Sequence, residues 1–403
     1  MLDRRDIEQI YSCASRFLAK YASERSLQAV KENCKQLLED FPECVYLEKP
    51  LLAEDGGSCY GILGTCSYLF VRAACLDENK VRCQLSSFML LPFYSSHGTT
   101  VEELSQLVMK ASEYYCIYKA LLDKGDISGT VILLDGSFLA DIFRLKRLAF
   151  SLLSAAQLDR LAKLYSSLLA EDPGTLYKEL LEKGNLHDEF VPLVYLQYLY
   201  SFLRLLLLVQ EYNLLLVYFV KHPLSSRVLA SHCGCKHCND VQLLRSVTQD
   251  SFCTRLLFSS TGTSVVGETL PEDFLQLLKR CARICEEELH HELGTDLGKI
   301  YSLLDNLVDG KTHTIKYYFI YYRRLPFGQI YKIEVPAIVN LRDLKTIFAW
   351  LITACATPEG YPLLLLYAHR LVHVPEKIKE AIEAILLALD QDKLLAGKDV
   401  TRT

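Results

Sequence analysis

Short apolar runs separated by polar residues dominate the first third of the sequence. Three of them, at residues 51–54, 59–76 and 81–94, follow one another and have the length and composition of neighbouring strands. A fourth, at residues 131–134, consists of four aliphatic residues in a segment bounded by glycines, which is typical of a strand covered on both faces. The pattern therefore predicts a sheet that starts with three sequential strands, and this favours an antiparallel arrangement.

Apolar residues at helical spacing predict the remaining elements. Residues 1–45 predict two amphipathic helices, and Thr100 before Glu102 and Glu103 marks the start of another helix. The later predicted helices span residues 138–183 with a break at 172–174, residues 187–212, residues 271–308 and residues 341–393 with a break at 357–362. The later predicted strands span residues 214–220, 314–323 and 328–335, and the last two form a hairpin. This mixture predicts an α/β fold with a mixed sheet.

Composition narrows the class of protein only a little. The 403 residues are 50% hydrophobic and 23% charged, as in an ordinary globular protein. The net charge of −5 argues against wholesale non-specific binding to nucleic acid but allows a basic groove beside an acidic site. The sequence has fifteen cysteines, and its N-terminus is charged and amphipathic, unlike a signal peptide. Together these features favour a protein of the reducing cytoplasm over one held by disulfide bonds.

The most hydrophobic tract of the chain spans residues 190–220. Polar residues interrupt it at Gln197, Arg204, Gln210 and Glu211, so no run reaches the roughly 18 to 20 apolar residues that a membrane span requires. We therefore expect a core helix followed by a strand, and no association with a membrane.

Two aspartates follow apolar runs and are themselves followed by glycine and serine. Asp135 ends the run at 131–134, and Asp55 lies in the sequence Glu-Asp-Gly-Gly-Ser after Leu51 and Leu52. An unpaired buried carboxylate costs several kcal/mol, so it normally has a cation or several donors as partner. Two such strand ends in one sheet would begin a carboxylate cluster for a divalent metal. Asp-Gly is also a common turn pair, so each residue has a simpler structural interpretation.

Basic residues follow other predicted strands. Lys221 ends the strand at 214–220, with Arg227 shortly after it, and Arg324 follows the first strand of the hairpin. Positive groups beside a carboxylate cluster can hold a phosphate polyanion against its negative charge. The alternative is that these side chains simply reach solvent at strand ends.

The most unusual composition is that of residues 232–238, His-Cys-Gly-Cys-Lys-His-Cys. Cys233, Cys235 and Cys238 are of the ligand type that zinc prefers, and Cys-x-x-Cys spacing is part of many zinc sites. A second Cys-x-x-Cys pair is absent from the sequence. Cys281 and Cys285 could replace it, although four-residue spacing also fits two core cysteines of a helix. A cysteine-rich loop without metal is the favoured interpretation.

The order of these motifs resembles that of the NurA nucleases. The motifs are an early Asp-Gly-Gly-Ser, a later Leu-Asp-Gly-Ser, a strand ending in Lys221, Tyr-Tyr-Arg-Arg followed by Tyr-Lys-Ile-Glu-Val-Pro, and finally Gly-Tyr-Pro with Tyr-Ala-His. The resemblance covers residues 48–385. It implies an RNase H-like core with a helical insertion at about 138–212. The amphipathic helices before it form an N-terminal arm at 1–47, and residues 386–403 form a C-terminal tail.

The resemblance also implies the site residues. Asp55, Asp135 and Glu113 match the metal-binding positions, and His369 matches an active-site histidine near the C-terminus. Lys221, Arg324 and Glu334 match recurrent polar positions. The family motif has one glycine between the aspartate and the serine, whereas this sequence has two. This leaves Glu54 as an alternative metal ligand to Asp55, and Glu102 or Glu103 could replace Glu113. The cysteine-rich segment 232–238 is not a feature of the family.

The expected activity is then that of a DNA nuclease that depends on Mn²⁺ or Mg²⁺, of the 5′–3′ exonuclease and single-strand endonuclease type. The resemblance implies a homodimer that works in DNA end resection with a hexameric HerA-type ATPase. Two alternatives stay open. One is an inactive nuclease-like subunit that docks on a translocase ATPase, and the other is a zinc-stabilised protein organised around residues 232–238.

Overall fold

A computed structural model describes most of the chain. The described residues are 24–63, 66–92, 100–152, 155–184, 186–223, 226–235, 238–259, 269–293, 300–310, 312–338 and 343–399. Within them one ten-stranded mixed sheet lies between two layers of helices. Of the predicted helices in residues 1–45, the part before residue 24 lies outside these ranges.

The strands agree with the sequence pattern at most positions. They are β1 (Leu38–Glu39), β2 (Leu51–Leu63), β3 (Cys66–Asp77), β4 (Val81–Pro92), β5 (Val131–Asp135), β6 (Leu215–Val220), β7 (Phe252–Thr254), β8 (Leu257–Phe258), β9 (Tyr317–Arg323) and β10 (Tyr331–Pro336). The short strands β1, β7 and β8 were not predicted, because two or three residues carry no readable periodicity.

Helices fill the remaining segments. They are α1 (Glu24–Lys35), α2 (Val101–Leu122), α3 (Phe138–Leu152), α4 (Ala155–Leu164), α5 (Ser166–Leu169), α6 (Pro173–Lys183), α7 (Leu186–Glu211), α8 (Val228–His232), α9 (Asp240–Val247), α10 (Glu272–Leu293), α11 (Ile300–Leu307), α12 (Leu344–Thr353), α13 (Leu363–Val372) and α14 (Glu376–Asp399). Helix α2 begins at the predicted position, where Thr100 and Glu103 form a capping box. Asp172 caps α6 at the predicted break.

The strand order is β1-β7-β9-β10-β6-β5-β2-β3-β4, with β8 paired to β9. Strands β2, β3 and β4 form the predicted antiparallel series, and β9 and β10 form the predicted antiparallel hairpin. Strand β5 pairs in parallel with both β2 and β6. The part of the sheet from β4 to β6 therefore has the arrangement of an RNase H-like core, and the predicted fold class is confirmed.

Both faces of the central strands are covered. Helices α2 and α7 lie on one face with the larger apolar cluster, and α12 and α13 cover the other face. Residues 189–211 of α7 are long and apolar enough to cross a membrane, but 94% of the most apolar window is buried inside the protein. This helix is therefore the predicted core helix.

Two local expectations were wrong. Strand β2 continues through Gly56 and Gly57 to Leu63, so Asp55 lies within a strand and not at its end. The helical pattern of the N-terminal arm ends at Lys35, and β1 then pairs with β7 at the edge of the sheet. The arm is therefore joined to the main sheet by backbone hydrogen bonds.

Candidate metal centre

Three of the four predicted catalytic side chains meet on one face of the sheet. Asp55 lies on β2 and Asp135 ends β5, and these strands are parallel neighbours. His369 comes from α13, which packs on the same face. One ligand atom from each of Asp55, Asp135 and His369 lies within 4.8 Å of the other two. Among the described residues this is the group with the spacing of a metal site.

Asp55 is held in place from two sides. The backbone N–H of Gly56 donates to Oδ1 at 2.8 Å, and Nδ1 of His369 lies 2.7 Å from Oδ2. Burial and the neighbouring Asp135 raise the pKa of Asp55, while His369 and Gly56 oppose this effect. Two adjacent carboxylates with little solvent repel each other, and a divalent cation removes that repulsion.

Lys221 forms an ion pair with Asp135. The two residues are brought together because β5 and β6 are parallel neighbours and both side chains lie at their carboxyl ends. The Lys221 ammonium also lies over the ring of Tyr361, 4.6 Å from its centroid. The structure thus places the predicted basic residue directly at the carboxylate cluster.

Tyr361 is a site residue that sequence reasoning did not select. Its ring is buried against Phe219 and Tyr331, and its hydroxyl lies beside Asp135. Burial and the charges of Asp135 and Asp55 raise the pKa of this phenol, so it stays protonated and can donate a hydrogen bond. Its Gly-Tyr-Pro segment was part of the family resemblance, but nothing local indicated where the hydroxyl points.

Glu113 lies outside the group of three, on the opposite face of β2 from the Asp55 side chain, where Gly56 leaves room for it. It is buried on α2 and forms an ion pair with Lys110, which is also buried. Its carboxylate occupies the space that a Cβ at Gly56 would fill. Burial raises the pKa of Glu113 to about 7, and Lys110 opposes this shift. A residue opposite the apolar stripe of a helix is usually exposed to solvent. Glu113 is buried instead, because α2 is packed against both β2 and α7.

The alternatives to Glu113 are occupied elsewhere. Glu103 closes the capping box of α2 and forms an ion pair with Arg147, and Glu102 is exposed in the same first turn. Ten residues of helix separate Glu103 from Glu113, which corresponds to about 15 Å. Glu113 is therefore the candidate of this helix that lies against β2, at Gly56, and its role as a metal ligand stays a prediction.

Glu54 points to the opposite face of β2 from Asp55, because side chains alternate along a strand. Its two carboxylate oxygens are buried, and neither has a hydrogen-bond partner. Burial, followed by the charge of Glu113, raises the pKa of Glu54 well above its usual value, which keeps it neutral. Of the two candidates in this motif, the structure brings Asp55 and not Glu54 into the cluster.

The two glycines after Asp55 serve opposite faces of the strand. A Cβ at Gly56 would collide with the Glu113 carboxylate, and a Cβ at Gly57 would collide with the backbone carbonyl of Val372 at the end of α13. The first glycine admits Glu113, and the second admits the helix that carries His369. Each of the two glycines is therefore required by the close packing of another element against the strand.

Glu334 holds the turn that follows Asp135. Its carboxylate accepts hydrogen bonds from Ser137 Oγ at 2.8 Å and from the Leu139 N–H at 3.4 Å. Lys332 pairs with the same carboxylate at 2.7 Å, and both residues are buried. Glu334 is therefore a positioning residue, since it fixes the segment that presents Asp135.

The two predicted arginines differ in their surroundings. Nη1 of Arg324 donates to the backbone carbonyls of Ile352, Thr353 and Thr357, at 3.3, 3.3 and 2.9 Å. This closes the carboxyl end of α12 and gives Arg324 a structural role, so its predicted contact with phosphate has no support here. Arg227 is exposed just before α8, and its role in nucleic-acid binding stays a prediction.

The cysteines of the unusual segment do not join the carboxylate cluster. Cys235 and Cys238 form a disulfide bond, and Cys233 is buried against Cys34 of α1. Cys281 and Cys285 are buried in α10, which packs against α7. The structure therefore places Cys34, and not the pair on α10, beside this segment.

Two carboxylates and an ammonium group on the central strands of an RNase H-like sheet, with an imidazole from the helix packed on it, are the arrangement of a metal-dependent phosphodiesterase. The sequence comparison is more specific, because the model of the NurA domain matches residues 68–374. The chain belongs to the NurA family. This membership confirms both the resemblance seen in the sequence and the predicted class of enzyme, a nuclease.

Solved structures agree with this assignment. The NurA nuclease from Sulfolobus solfataricus superposes with a TM-score of 0.58 at 15% identity, over 97% of this chain and 98% of that one. NurA bound to dAMP and manganese gives 0.56 at 16% identity, and NurA with manganese gives 0.54 at 17%, each over 96% of this chain and 98% of the other. At these identities the likeness establishes a shared fold. No curated protein matches the sequence significantly.

Proposed function

We propose that this protein is a DNA nuclease that uses Mn²⁺ or Mg²⁺ held by Asp55 and Asp135, with Glu113 beside them. The observation that carries this proposal is the Asp55–Asp135–His369 group, whose ligand atoms lie within 4.8 Å of one another. Carboxylates suit either ion, and an imidazole favours Mn²⁺ over Mg²⁺. Two of the similar NurA crystal structures contain manganese. When bound, the metal would supply Lewis acidity and a water of lowered pKa.

The side chains around the group have separate tasks. His369 uses Nδ1 towards Asp55 and is 47% exposed, so Nε2 is the ring nitrogen available to a water or to the leaving oxygen. Lys221 can neutralise a phosphate oxygen, since its ammonium already lies at Asp135. The neutral Tyr361 hydroxyl can donate to the same phosphate.

The biological setting follows the family resemblance. We infer 5′–3′ exonuclease and single-strand endonuclease activity in cytoplasmic DNA end resection, together with a hexameric HerA-type ATPase. If the site contacts phosphate and not bases, the enzyme should recognise ends and strandedness, and its activity should fall as salt rises.

Exposed apolar residues support a homodimer or another protein contact. Those on α13 and α14 are Leu363, Tyr367, Leu371, Ile385, Leu387 and Leu389. Large apolar side chains gathered on neighbouring helices mark an interaction surface more often than a free one.

End-labelled single- and double-stranded DNA tests the proposal. We expect cleavage by the wild type with Mn²⁺ or Mg²⁺, none in EDTA, and a loss of at least about 100-fold in Asp135→Asn. Asp250→Asn is the matched control, because Asp250 is exposed and lies outside the cluster. A folded wild type that cleaves with neither metal would exclude the nuclease and support the alternative, an inactive subunit that binds an ATPase.

A further inference from the structure

A cluster of cysteines lies in a part of the fold that the nuclease site does not use. Helices α8 and α9 are joined by a loop that contains Cys233, Cys235 and Cys238, with Gly234 at φ +84° between the first two. Cys34 of α1, about 200 residues earlier, reaches the same loop. Its thiol is hydrogen-bonded to that of Cys233, and Asn33 Nδ2 donates to the Cys233 carbonyl at 3.4 Å.

The four cysteines of this region form two pairs. Cys34 and Cys233 are one pair, and Cys235 and Cys238 are the other. The Cα atoms of Cys233 and Cys235 can be no more than about 7 Å apart, because a single residue separates them. The chain therefore holds four thiol-bearing residues around one loop, with three of them in Cys-x-Cys-x-x-Cys spacing.

A backbone donor at this loop points to a sulfur ligand. The N–H of Cys238 lies 3.2 Å from Cys235 Sγ and donates to it. A donor aimed at sulfur favours the thiolate over the thiol, and the thiolate is the form that binds metals.

The other cysteines are those of a reduced protein. Ten described cysteines outside this cluster form no disulfide bond, and the sulfur atoms of Cys83 and Cys116 lie 3.4 Å apart in a hydrogen bond without a disulfide. In that environment two electrons and two protons from a dithiol reductant convert the Cys235–Cys238 disulfide to two thiols. Cys34 of α1 and the three cysteines of the loop then each have a thiol to offer.

We propose that in the reduced protein Cys34, Cys233, Cys235 and Cys238 bind one zinc ion in a tetrahedral structural site. The Zn–S distances would be about 2.3 Å. The four thiols release four protons as the ion binds, so zinc affinity should fall at low pH. The site would fasten α1 to the loop between α8 and α9.

The polar network around this loop extends to the metal centre. Asp240, the first residue of α9, accepts from the Ala230 N–H at 2.8 Å and from Ser226 Oγ at 2.7 Å. Ser226 lies 3.3 Å from the ammonium of Lys332, which pairs with Glu334, the residue that holds the turn after Asp135. Loss of zinc should therefore reduce stability first and activity second.

Metal analysis of the full-length protein, purified with a reductant, tests the site. We expect about one zinc per chain to survive dialysis, in the wild type and in Asp135→Asn alike, because zinc at the nuclease site would be lost in Asp135→Asn. Cys34→Ser and Cys235→Ser should lose it. Cys66→Ser is the control, since Cys66 is a free cysteine on β3. Replacement by Co²⁺ should give the visible absorption of a four-thiolate tetrahedral complex.

Three results would overturn the proposal. The first is reduced wild-type protein without zinc, in which N-ethylmaleimide alkylates all four cysteines. The second is a Cys235–Cys238 disulfide that persists in protein alkylated before lysis. The third is zinc that is retained in Cys34→Ser and lost in His237→Ala, which would show that the fourth ligand is a histidine and not Cys34. If Cys34→Ser does not fold, the Co²⁺ spectrum of the wild type decides between four sulfur ligands and fewer.

Discussion

Neighbouring carboxylates on β2 have opposite environments. Asp55 faces the metal centre and is bonded to His369, whereas Glu54 faces the core and has no hydrogen-bond partner. The alternation of side chains along a strand accounts for the difference, and it could have been applied to the sequence. What the sequence could not show is which face holds the site, because that depends on where α13 packs.

Exchange of each carboxylate for its amide tests this assignment. Asp55→Asn should lose at least about 100-fold in kcat/KM, because it removes a charged ligand. Glu54→Gln should stay within about 3-fold of the wild type, because a neutral carboxyl is replaced by a neutral amide of the same shape. The measurement is initial-rate cleavage of end-labelled DNA at saturating Mn²⁺. The reverse order of the two effects would place the ligand at Glu54.

The pH dependence follows from the raised pKa values of Glu113 and Asp55. A protonated carboxyl cannot bind a metal, and burial raises the pKa of Glu113, the metal ligand that the family resemblance implies, to about 7. At limiting Mn²⁺ the activity should therefore rise between pH 6 and pH 8, by about 10-fold at most for one proton. Higher Mn²⁺ competes with the proton and should shift the profile to lower pH. A profile that does not respond to Mn²⁺ concentration would contradict this explanation.

Single elements show why part of the site could be predicted and part could not. The start of α2, strand β5 and the position of Asp135 follow from local patterns, because a capping box and an aliphatic run are read from neighbouring residues. The sequence did not predict that β2 continues through Gly56 and Gly57. A glycine pair occurs both in turns and in strands against which other elements pack closely, and the sequence does not distinguish the two. The same limit applies to Tyr361, which packs against residues distant in sequence.

Substitution of Gly57 tests the packing of α13. In Gly57→Ala the new methyl group meets the Val372 carbonyl, so α13 must shift and carry His369 with it. We expect a loss of about 1–3 kcal/mol in the free energy of unfolding and at least about 10-fold in activity. Gly310→Ala is the control, because nothing lies within 4 Å of its Cβ position. Equal activity of both variants would show that His369 does not need this contact.

At the scale of the whole molecule, the order of the strands creates the site. Parallel pairing of β5 with β2 and β6 gathers Asp55, Asp135 and Lys221, although 166 residues separate the first from the last. The sequence predicted the antiparallel series β2-β3-β4 and the hairpin β9-β10 but not the parallel pairing of β5, because that pairing is decided by contacts between distant segments. The resemblance to NurA supplied the residues, and the fold explains their proximity.

The apolar face of α14 leads to a prediction about assembly. If it forms the proposed homodimer, the wild type should sediment as a dimer, and the double variant Ile385→Glu with Leu389→Glu should sediment as a monomer. Leu181→Glu, at an exposed leucine of α6, is the control and should stay dimeric. A wild type that is monomeric at micromolar concentration would rule out the homodimer.

Manganese binding tests the metal centre most directly. Electron paramagnetic resonance of free Mn²⁺, titrated into the protein without DNA, counts the ions bound at the Asp55–Asp135–His369 group. We expect at least one ion per chain in the wild type, and an affinity at least about 10-fold lower in both Asp55→Asn and Asp135→Asn. Wild-type affinity in both variants would show that the metal binds elsewhere and that these aspartates do not form the nuclease site.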